Sequence, residues 1–358
     1  MKKINLLLIC CFLLSCKQAI KENTESPVTY TVDYSDSETF DWFSHMDITE
    51  VIPLEFSDSS ILSVAKNCII EKDKILFQDY KQRMVFVFDK AGKYLYSINK
   101  LGNGPDEYTD IWDLRTTWNH KEIMINDGHK LLFYNLQDGS YTHRMDLGFN
   151  SKDGILFRNC INPEENVYYL WSNNGEYTLY EYKDGQLTGL KKRNGYELIT
   201  KRFSNNYNNE YLVFPDYGEY GIDKINGGKY LFIDFGKYAL PADMRPQKGS
   251  DLDKIEKSRY FKHISNVVES KDGIFISAIS PQTNHYEIYI DKKSGNILKG
   301  NWDQNTKLNV LQAEDNFFYA LVYPEYLQDD SKLKIFLQKY TNGDDNPLIL
   351  KFKVTDKK

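Results

Sequence analysis

From about residue 48 the chain alternates between short apolar runs and small polar turns. Residues 48–54 form the first run, and 68–71, 74–78, 84–88 and 94–98 follow. Lys72-Asp73, residues 79–83 and Asp89-Lys90-Ala91-Gly92 separate the last four. Runs this short and this closely spaced predict an antiparallel meander of four strands with no room for helices. The pattern returns at 122–125, 131–135 and 141–146, and again at 167–171, 178–182 and 186–190. Further copies lie at 274–279, 286–291 and 297–300, and at 317–323, 332–339 and 348–354; residues 230–235 supply strands for one more.

The turn glycines set a period. Gly92 to Gly139 is about 47 positions, Gly139 to Gly185 about 46 and Gly295 to Gly343 about 48. Gly185 to Gly295, about 110, accommodates two looser repeats. Residues 240–261 interrupt the first of these with Pro241, Pro246 and a charged stretch at 251–257, read as a helical or irregular insertion. Four strands every 40–50 residues is the period of a β-propeller blade. The expected fold is therefore all-β, a six-bladed β-propeller of four-stranded antiparallel blades. A large sandwich fits the even period less well. A ring must close, and 48–54 has no local hairpin partner, so this N-terminal strand is expected to complete the last blade.

Ahead of the repeats, Lys2 and Lys3 precede an apolar run over 4–14, a signal-peptide core too short to span a bilayer. Leu13-Leu14-Ser15-Cys16 then has the form of a bacterial lipobox, in which the Cys16 thiol takes a diacylglyceryl thioether. The organisation read from this is a lipoprotein signal over 1–15, a lipid-anchored flexible tether over 16–45 and the propeller over 46–358. Each buried acyl methylene adds about 0.8 kcal/mol to such an anchor.

Composition refines the picture modestly. With 27 Tyr, 20 Phe and 21 Gly, the chain favours strands and turns over helices. Losing Lys2 and Lys3 moves the formal charge from -6 to about -8. An acidic chain without a basic patch is not an electrostatic binder of nucleic acid. Only Cys68 and Cys160 remain for the folded part, both among apolar neighbours, and they read as two buried free thiols.

Val87-Phe88-Asp89-Lys90-Ala91-Gly92-Lys93 is followed by Leu101-Gly102-Asn103-Gly104-Pro105-Asp106-Glu107-Tyr108. This pair resembles the "F-D-K-x-G-K" turn and "G-x-G-P-x-E-Y" loop of the six-bladed β-propeller lipoproteins of Bacteroidota. Val51-Ile52-Pro53-Leu54-Glu55 resembles that family's opening strand, and Asp344-Asp345-Asn346-Pro347-Leu348 its closing segment. More distantly the chain is similar to NHL and TolB-type propellers. The resemblance implies the propeller fold and lipoprotein character, and no particular reaction.

Candidate chemistry is sparse. In the Gly102, Gly104, Pro105, Glu107, Tyr108 loop, an anion cradle would lack a following Lys-Ser/Thr, and Pro105 removes a donor. The loop reads as structural: glycines at positive φ, a stiffening proline, and Glu107 and Tyr108 bonding neighbouring backbone. Asp106, Glu107, Asp110 and Asp113, Asp329-Asp330 and Asp344-Asp345 lack calcium-loop spacing and read as turn carboxylates. No cofactor is expected; a calcium ion in the central channel, with ligands scattered over several blades, is left open. No G-x-S-x-G elbow occurs and the histidines are isolated, with His129 in an inter-strand turn the first to test. Trp112, Trp118 and Trp171 lie near strand ends. Tyr207, Tyr211, Tyr217 and Tyr220 fall in a polar stretch, 205–220, that reads as a binding loop.

The expected function is that of an outer-membrane lipoprotein, on the periplasmic or cell-surface side. Its propeller would bind a partner protein or glycan of the envelope without catalysis. The membrane is met through the lipid alone. The alternative is a glycan- or peptidoglycan-active enzyme with its site at the mouth of the central channel.

Overall fold

The structure, a computed structural model, describes residues 26–34, 39–148, 154–197, 201–282, 285–302, 308–341 and 346–355. Cys16, Gly343 and Asp344-Asp345 lie outside these residues. Three strands precede the repeats: β1 (Val28–Thr31), β2 (Thr39–Phe40) and β3 (Met46–Pro53). Blade 1 holds β4 (Ala65–Ile70), β5 (Lys74–Asp79), β6 (Met84–Asp89) and β7 (Tyr94–Ile98). Blade 2 holds β8 (Asp113–Thr116), β9 (Glu122–Asn126), β10 (Lys130–Asn135) and β11 (Tyr141–Asp146). Blade 3 holds β12 (Phe157–Glu164), β13 (Val167–Ser172), β14 (Tyr177–Lys183) and β15 (Gln186–Lys192). Blade 4 holds β16 (Phe203–Asn205), β17 (Tyr211–Val213), β18 (Gly221–Lys224) and β19 (Lys229–Asp234). Blade 5 holds β20 (Ile264–Glu269), β21 (Gly273–Ile279), β22 (His285–Asp291) and β23 (Ile297–Trp302). Blade 6 holds β24 (Asn309–Glu314), β25 (Phe317–Val322) and β26 (Leu348–Val354), with β3 as its outermost strand.

The first strands of the blades touch one another in ring order, β4 to β8, β12, β16, β20, β24 and back to β4. The chain is thus a six-bladed β-propeller closed as expected. β3 pairs antiparallel with β26, from Met46 opposite Val354 to Pro53 opposite Leu348. Beyond the ladder, Thr355 N–H donates to the His45 carbonyl (2.8 Å), and His45 Nδ1 lies 3.0 Å from the Thr355 carbonyl. The middle strands are covered by neighbouring blades on both faces and are accordingly almost wholly buried, as in β5 and β6. Outer strands such as β15 alternate between exposed and half-buried positions.

Two short segments explain the family-like turn and the closing asparagine. Gly92 takes φ +85°, and a Cβ there would lie 2.0 Å from the Pro53 carbonyl oxygen at the end of β3. Its own carbonyl accepts from Glu55 N–H (2.8 Å), so the turn of blade 1 seats the end of the closing strand. Asn346, buried, donates to the Glu55 and Ser60 carbonyls (2.7 Å each) and accepts from Leu62 N–H (2.8 Å). That side chain ties blade 6 to the connection entering blade 1.

Two expectations are corrected. The flexible tether does not extend to residue 45. From Val28 the chain is a strap: β1 adds parallel to β19 and β2 parallel to β23. Blades diverge outward, and the strap fills the widening wedges. Tyr34 packs edge-on against Tyr238, Phe261 and Tyr286 at 4.9–5.3 Å between ring centroids. Trp42, 1% exposed, packs between Phe275 and Trp302. The second correction is residues 332–339, which form not a strand but a helix, Lys332–Leu337, followed by a single tighter turn over Gln338–Tyr340. Ser331 caps it by accepting from Lys334 N–H (3.1 Å), and Leu333 and Leu337 share its buried face. The expected insertion at 240–261 is irregular with one short helix, Leu252–Glu256.

Gly92→Ala is expected to lower stability by at least about 2 kcal/mol, because a side chain there meets both a left-handed backbone and the β3 carbonyl. Urea unfolding measures it; a change under about 0.5 kcal/mol would contradict the seating of β3.

Candidate functional site

The inner strands carry a shared irregularity. In four of them one residue is bulged out of register against the next strand: Lys66 in β4, Arg158 in β12, Ser265 in β20 and Leu311 in β24. A bulged residue has no cross-strand partner and is re-aimed by the local kink. Lys66, Ser265 and Leu311 all line one cavity of about 350 Å³ in the channel, joined there by Lys201, Asn266 and Glu287. A larger cavity of about 430 Å³ lies elsewhere, between the Asp58–Ile61 region and β6 and β7. It draws on one blade and a loop, whereas the channel cavity draws on blades 1, 4, 5 and 6.

Next to three of the four bulges sits a polar side chain that reaches a neighbouring blade, and beside the fourth, at Arg158, the Cys160 backbone does so. Asn67 Nδ2 donates to Asp113 Oδ1 (3.0 Å), and Cys160 N–H donates to Asp113 Oδ2 (3.0 Å). Lys201 Nζ donates to Asn266 Oδ1 (3.0 Å), and Asn266 Nδ2 donates to the Val310 carbonyl (2.7 Å). Gln312 Nε2 donates to the Ile70 carbonyl (2.8 Å), and its Oε1 accepts from Ile70 N–H (3.1 Å). These bonds stitch five of the six seams and hold the channel wall in fixed geometry.

Charge gathers at this end of the inner strands. Burial works against the Arg115 guanidinium, but Asp113 Oδ2, 3.3 Å from its Nε, more than compensates and holds its pKa above the ordinary value. Lys66 is pushed below the ordinary lysine range by burial, with Arg158 adding repulsion and Asp113 and Asp110 opposing. Lys201 is pushed down to about 7, first by burial and then by Arg115, against Asp113. Arg158 lies flat on Trp112, its Cζ 3.5 Å from the ring centroid, and Lys66 Nζ is 5.9 Å from the same ring.

A second polar group is buried beside the channel. Arg202 donates to Glu197 Oε2 (2.7 Å) and to the Pro215 carbonyl (2.8 Å) and stacks on Trp171 at 4.4 Å. Burial and the Asp216 charge raise the Glu197 pKa. His263 is pushed down to about 4, by burial first and then by Arg202 and His285.

The residues singled out from sequence separate into those at the channel and those in the core. Trp112 is brought to Lys66 and Arg158 at the channel entrance. His129 is half-buried, with Nδ1 unpartnered, on the turn behind Trp112. The tyrosines do not form a common surface. Tyr217 and Tyr220 are buried; Tyr220 OH donates to the Phe261 carbonyl (2.7 Å) and accepts from Leu240 N–H (2.8 Å), anchoring the insertion. Tyr211 is half-buried against Trp171 and Phe203, and only Tyr207 is exposed. Trp118 is exposed, its backbone N–H donating to Asn162 Oδ1 (3.0 Å).

The Gly102–Tyr108 loop is held by its own carboxylate and by blades 1 and 2, with Lys130 Nζ donating to the Glu107 carbonyl (2.8 Å) and Tyr134 OH to the Asp106 carbonyl (2.9 Å). Glu107 Oε2 accepts from Gly104 N–H (2.7 Å), and Tyr108 OH donates toward the Arg83 and Ile98 carbonyls (3.0 and 2.9 Å). Neither glycine lies at positive φ, contrary to expectation; a Cβ at Gly102 would meet Glu107 Oε2 at 2.0 Å, so room for that carboxylate is the requirement. Asp106 pairs with Lys100 (2.9 Å) and Asp329 with Lys334 (2.7 Å). Among the described residues no group of three or more His, Cys, Asp or Glu is placed to hold a metal ion. Cys68 and Cys160 are free thiols, Cys68 lining the channel cavity. Lys66, Arg158 and Lys201 were not read from sequence as site residues. The signal for two of them is a recurrence, Lys66-Asn67-Cys68 and Arg158-Asn159-Cys160, at the same point of blades 1 and 3.

Over residues 32–353 the sequence matches the family described as a domain of unknown function, DUF4934, and the chain belongs to that family. No curated protein matches. Among solved structures, a Bacteroides fragilis protein described as exported is similar at 16% identity and TM-score 0.74, covering 92% of this chain and 100% of that one. A DUF4221 family member from Bacteroides vulgatus is similar at 11% identity and TM-score 0.58, covering 87% and 98%. Likeness at these identities concerns the fold.

His263 gives a pH signature for the buried group. The fold favours neutral imidazole, while the unfolded chain takes up a proton below about 6.5, so stability is lost as pH falls from there toward 4. His263→Gln removes this loss. Between pH 7 and pH 4 the wild type is expected to lose on the order of 2 kcal/mol more than the variant in urea titrations. Parallel pH profiles would contradict the burial.

Proposed function

We propose that this DUF4934 member is an exported, lipid-anchored envelope protein whose propeller binds a ligand, without chemistry, at the channel mouth. The observation that carries the reading is the channel cavity itself. It is concave and polar, it is contributed by four blades, and its wall is fixed by hydrogen bonds between blades. Carboxylates at and next to that wall are already engaged: Asp113, buried behind the lining residue Asn67, by Asn67 and Arg115, and Glu287 Oε2 by Ser277 Oγ (2.5 Å). That favours a recognition surface over a pair of free catalytic acids. The fold supports the reading, since a propeller offers one natural concavity to which every blade contributes. No helix among the described residues is long and apolar enough to cross a membrane. The anchor is read from the Lys2-Lys3 start, the apolar run and Cys16, and the partner is an envelope glycan or protein.

Two measurements test the two halves. Labelled palmitate should enter the wild type, and Cys16→Ala should lose both the label and the membrane fraction; label retained in Cys16→Ala would contradict the anchor. A soluble form beginning at Ser26, which keeps the strap, should bind an envelope glycan or protein. Ser265→Trp, which fills the channel from a bulge position, should lose at least tenfold in affinity while melting cooperatively. Undiminished binding in Ser265→Trp, or turnover of the bound glycan, would contradict channel-mouth recognition.

A further inference from the structure

The channel entrance holds cationic donors with nothing to donate to. Arg158 lies flat on Trp112, yet its Nε and Nη1 are buried and without a hydrogen-bond partner. Lys66, in the next blade but one, faces the cavity and approaches aromatic rings at 5.4 and 5.9 Å; it makes no hydrogen bond among the described residues. The carboxylates nearby do not serve these donors. Asp113 Oδ1 accepts from Asn67 and Leu114 N–H, and its Oδ2 from Cys160 N–H and Arg115. Asp110 Oδ1 accepts from Ile111 N–H (2.9 Å), and on the far wall Glu287 accepts from Ser277. A buried N–H without an acceptor is costly, and more so when charged. Such donors, held rigid by a bulge and a stacked indole, are what a receptor for an anion requires.

We propose that the channel entrance binds the anionic group of a sugar-sized ligand between Arg158 and Lys66, with Lys201 as a third donor. The group is a carboxylate or a phosphate, chemistries that share oxygen acceptors and negative charge. The cavity of about 350 Å³, lined by Lys66 and Lys201 and adjoined through the Trp112 ring by Arg158, sets the size. The inference rests on the reading of the channel as a binding site and is independent of the lipid anchor. It also carries a pH signature. Lys201 is faced by Arg115 and Asp113 from β8, Lys66 and Cys68 from β4, and His285 and Glu287 from β22. Its pKa of about 7 means that a bound anion draws a proton onto it, so affinity falls as pH rises through 7.

The test is titration calorimetry of the soluble form beginning at Ser26 with glucuronate, glucose 6-phosphate and glucose. One or both of the charged probes should bind, and glucose at least tenfold more weakly. Arg158→Gln should weaken the charged probe at least tenfold; Lys66→Met supplies the same check should Arg158→Gln fail to melt cooperatively. Lys201→Met should flatten the pH dependence between 6 and 8, which separates Lys201 from His285. A preference between the two probes identifies carboxylate or phosphate as the group. Equal binding of glucose, binding unchanged in Arg158→Gln and Lys66→Met, or no binding of either charged probe overturns the proposal. A neutral ligand lost in Ser265→Trp would overturn it while leaving channel-mouth recognition intact.

Discussion

Everything in this molecule hangs on the antiparallel ladder between β3 and β26. A blade has two apolar faces and cannot cover either alone, so its neighbours must, and that condition is met for all blades only when the ring is shut. The chain meets it by joining residues some three hundred positions apart in one sheet. The ladder is flanked on both sides. His45 and Thr355 extend it at one end, while Gly92, Glu55 and Asn346 seat it at the other. The strap of β1 and β2 then runs round the outside of blades 4 and 5, filling wedges that radial geometry opens.

The closed ring is what gives the channel wall its chemistry. Inner strands are brought side by side, and the residues following three of the bulges, Asn67, Asn266 and Gln312, span the seam to the neighbouring blade. The bulged residue itself is left to the channel. Cations, amides and engaged carboxylates are therefore gathered from several blades without any local sequence cluster. Lys201 and Lys66 lose some of their preference for charge there chiefly because water is replaced by protein, with the Arg115 and Arg158 guanidinium groups adding repulsion.

The parts of this architecture that follow local rules were legible in the sequence. Gly92, Gly139, Gly185 and Gly295 all sit at positive φ in outer turns, so their spacing reported the blades. Middle strands, buried on both faces, read as apolar runs. Inner strands were harder. Polar Lys66, Asp113 and Arg158 break the apolar alternation by which β4, β8 and β12 would be seen. β1 and β2 are too short to show a period, which is why 16–45 read as tether throughout. Residues 332–335 alternate Lys and apolar side chains like a strand, and only the Ser331 cap with Leu333 and Leu337 on one face reveals the helix. Of the site, Trp112 was legible as an aromatic near a strand end; its companions come from blades 1 and 3, and only the ring brings them together. Tyr217 and Tyr220 looked like a binding loop because the stretch 205–220 that carries them is polar and rich in Asn and Tyr.

Native-state hydrogen exchange of β3 tests the central claim most directly. If the β3–β26 ladder closes the ring, the amides of Val51 and Ile52 exchange only through global opening, with the same free energy and denaturant dependence as those of β5 and β9. If β3 instead exchanges through local openings, while the inner and middle strands stay protected, the ring stands without its closing strand and the account fails.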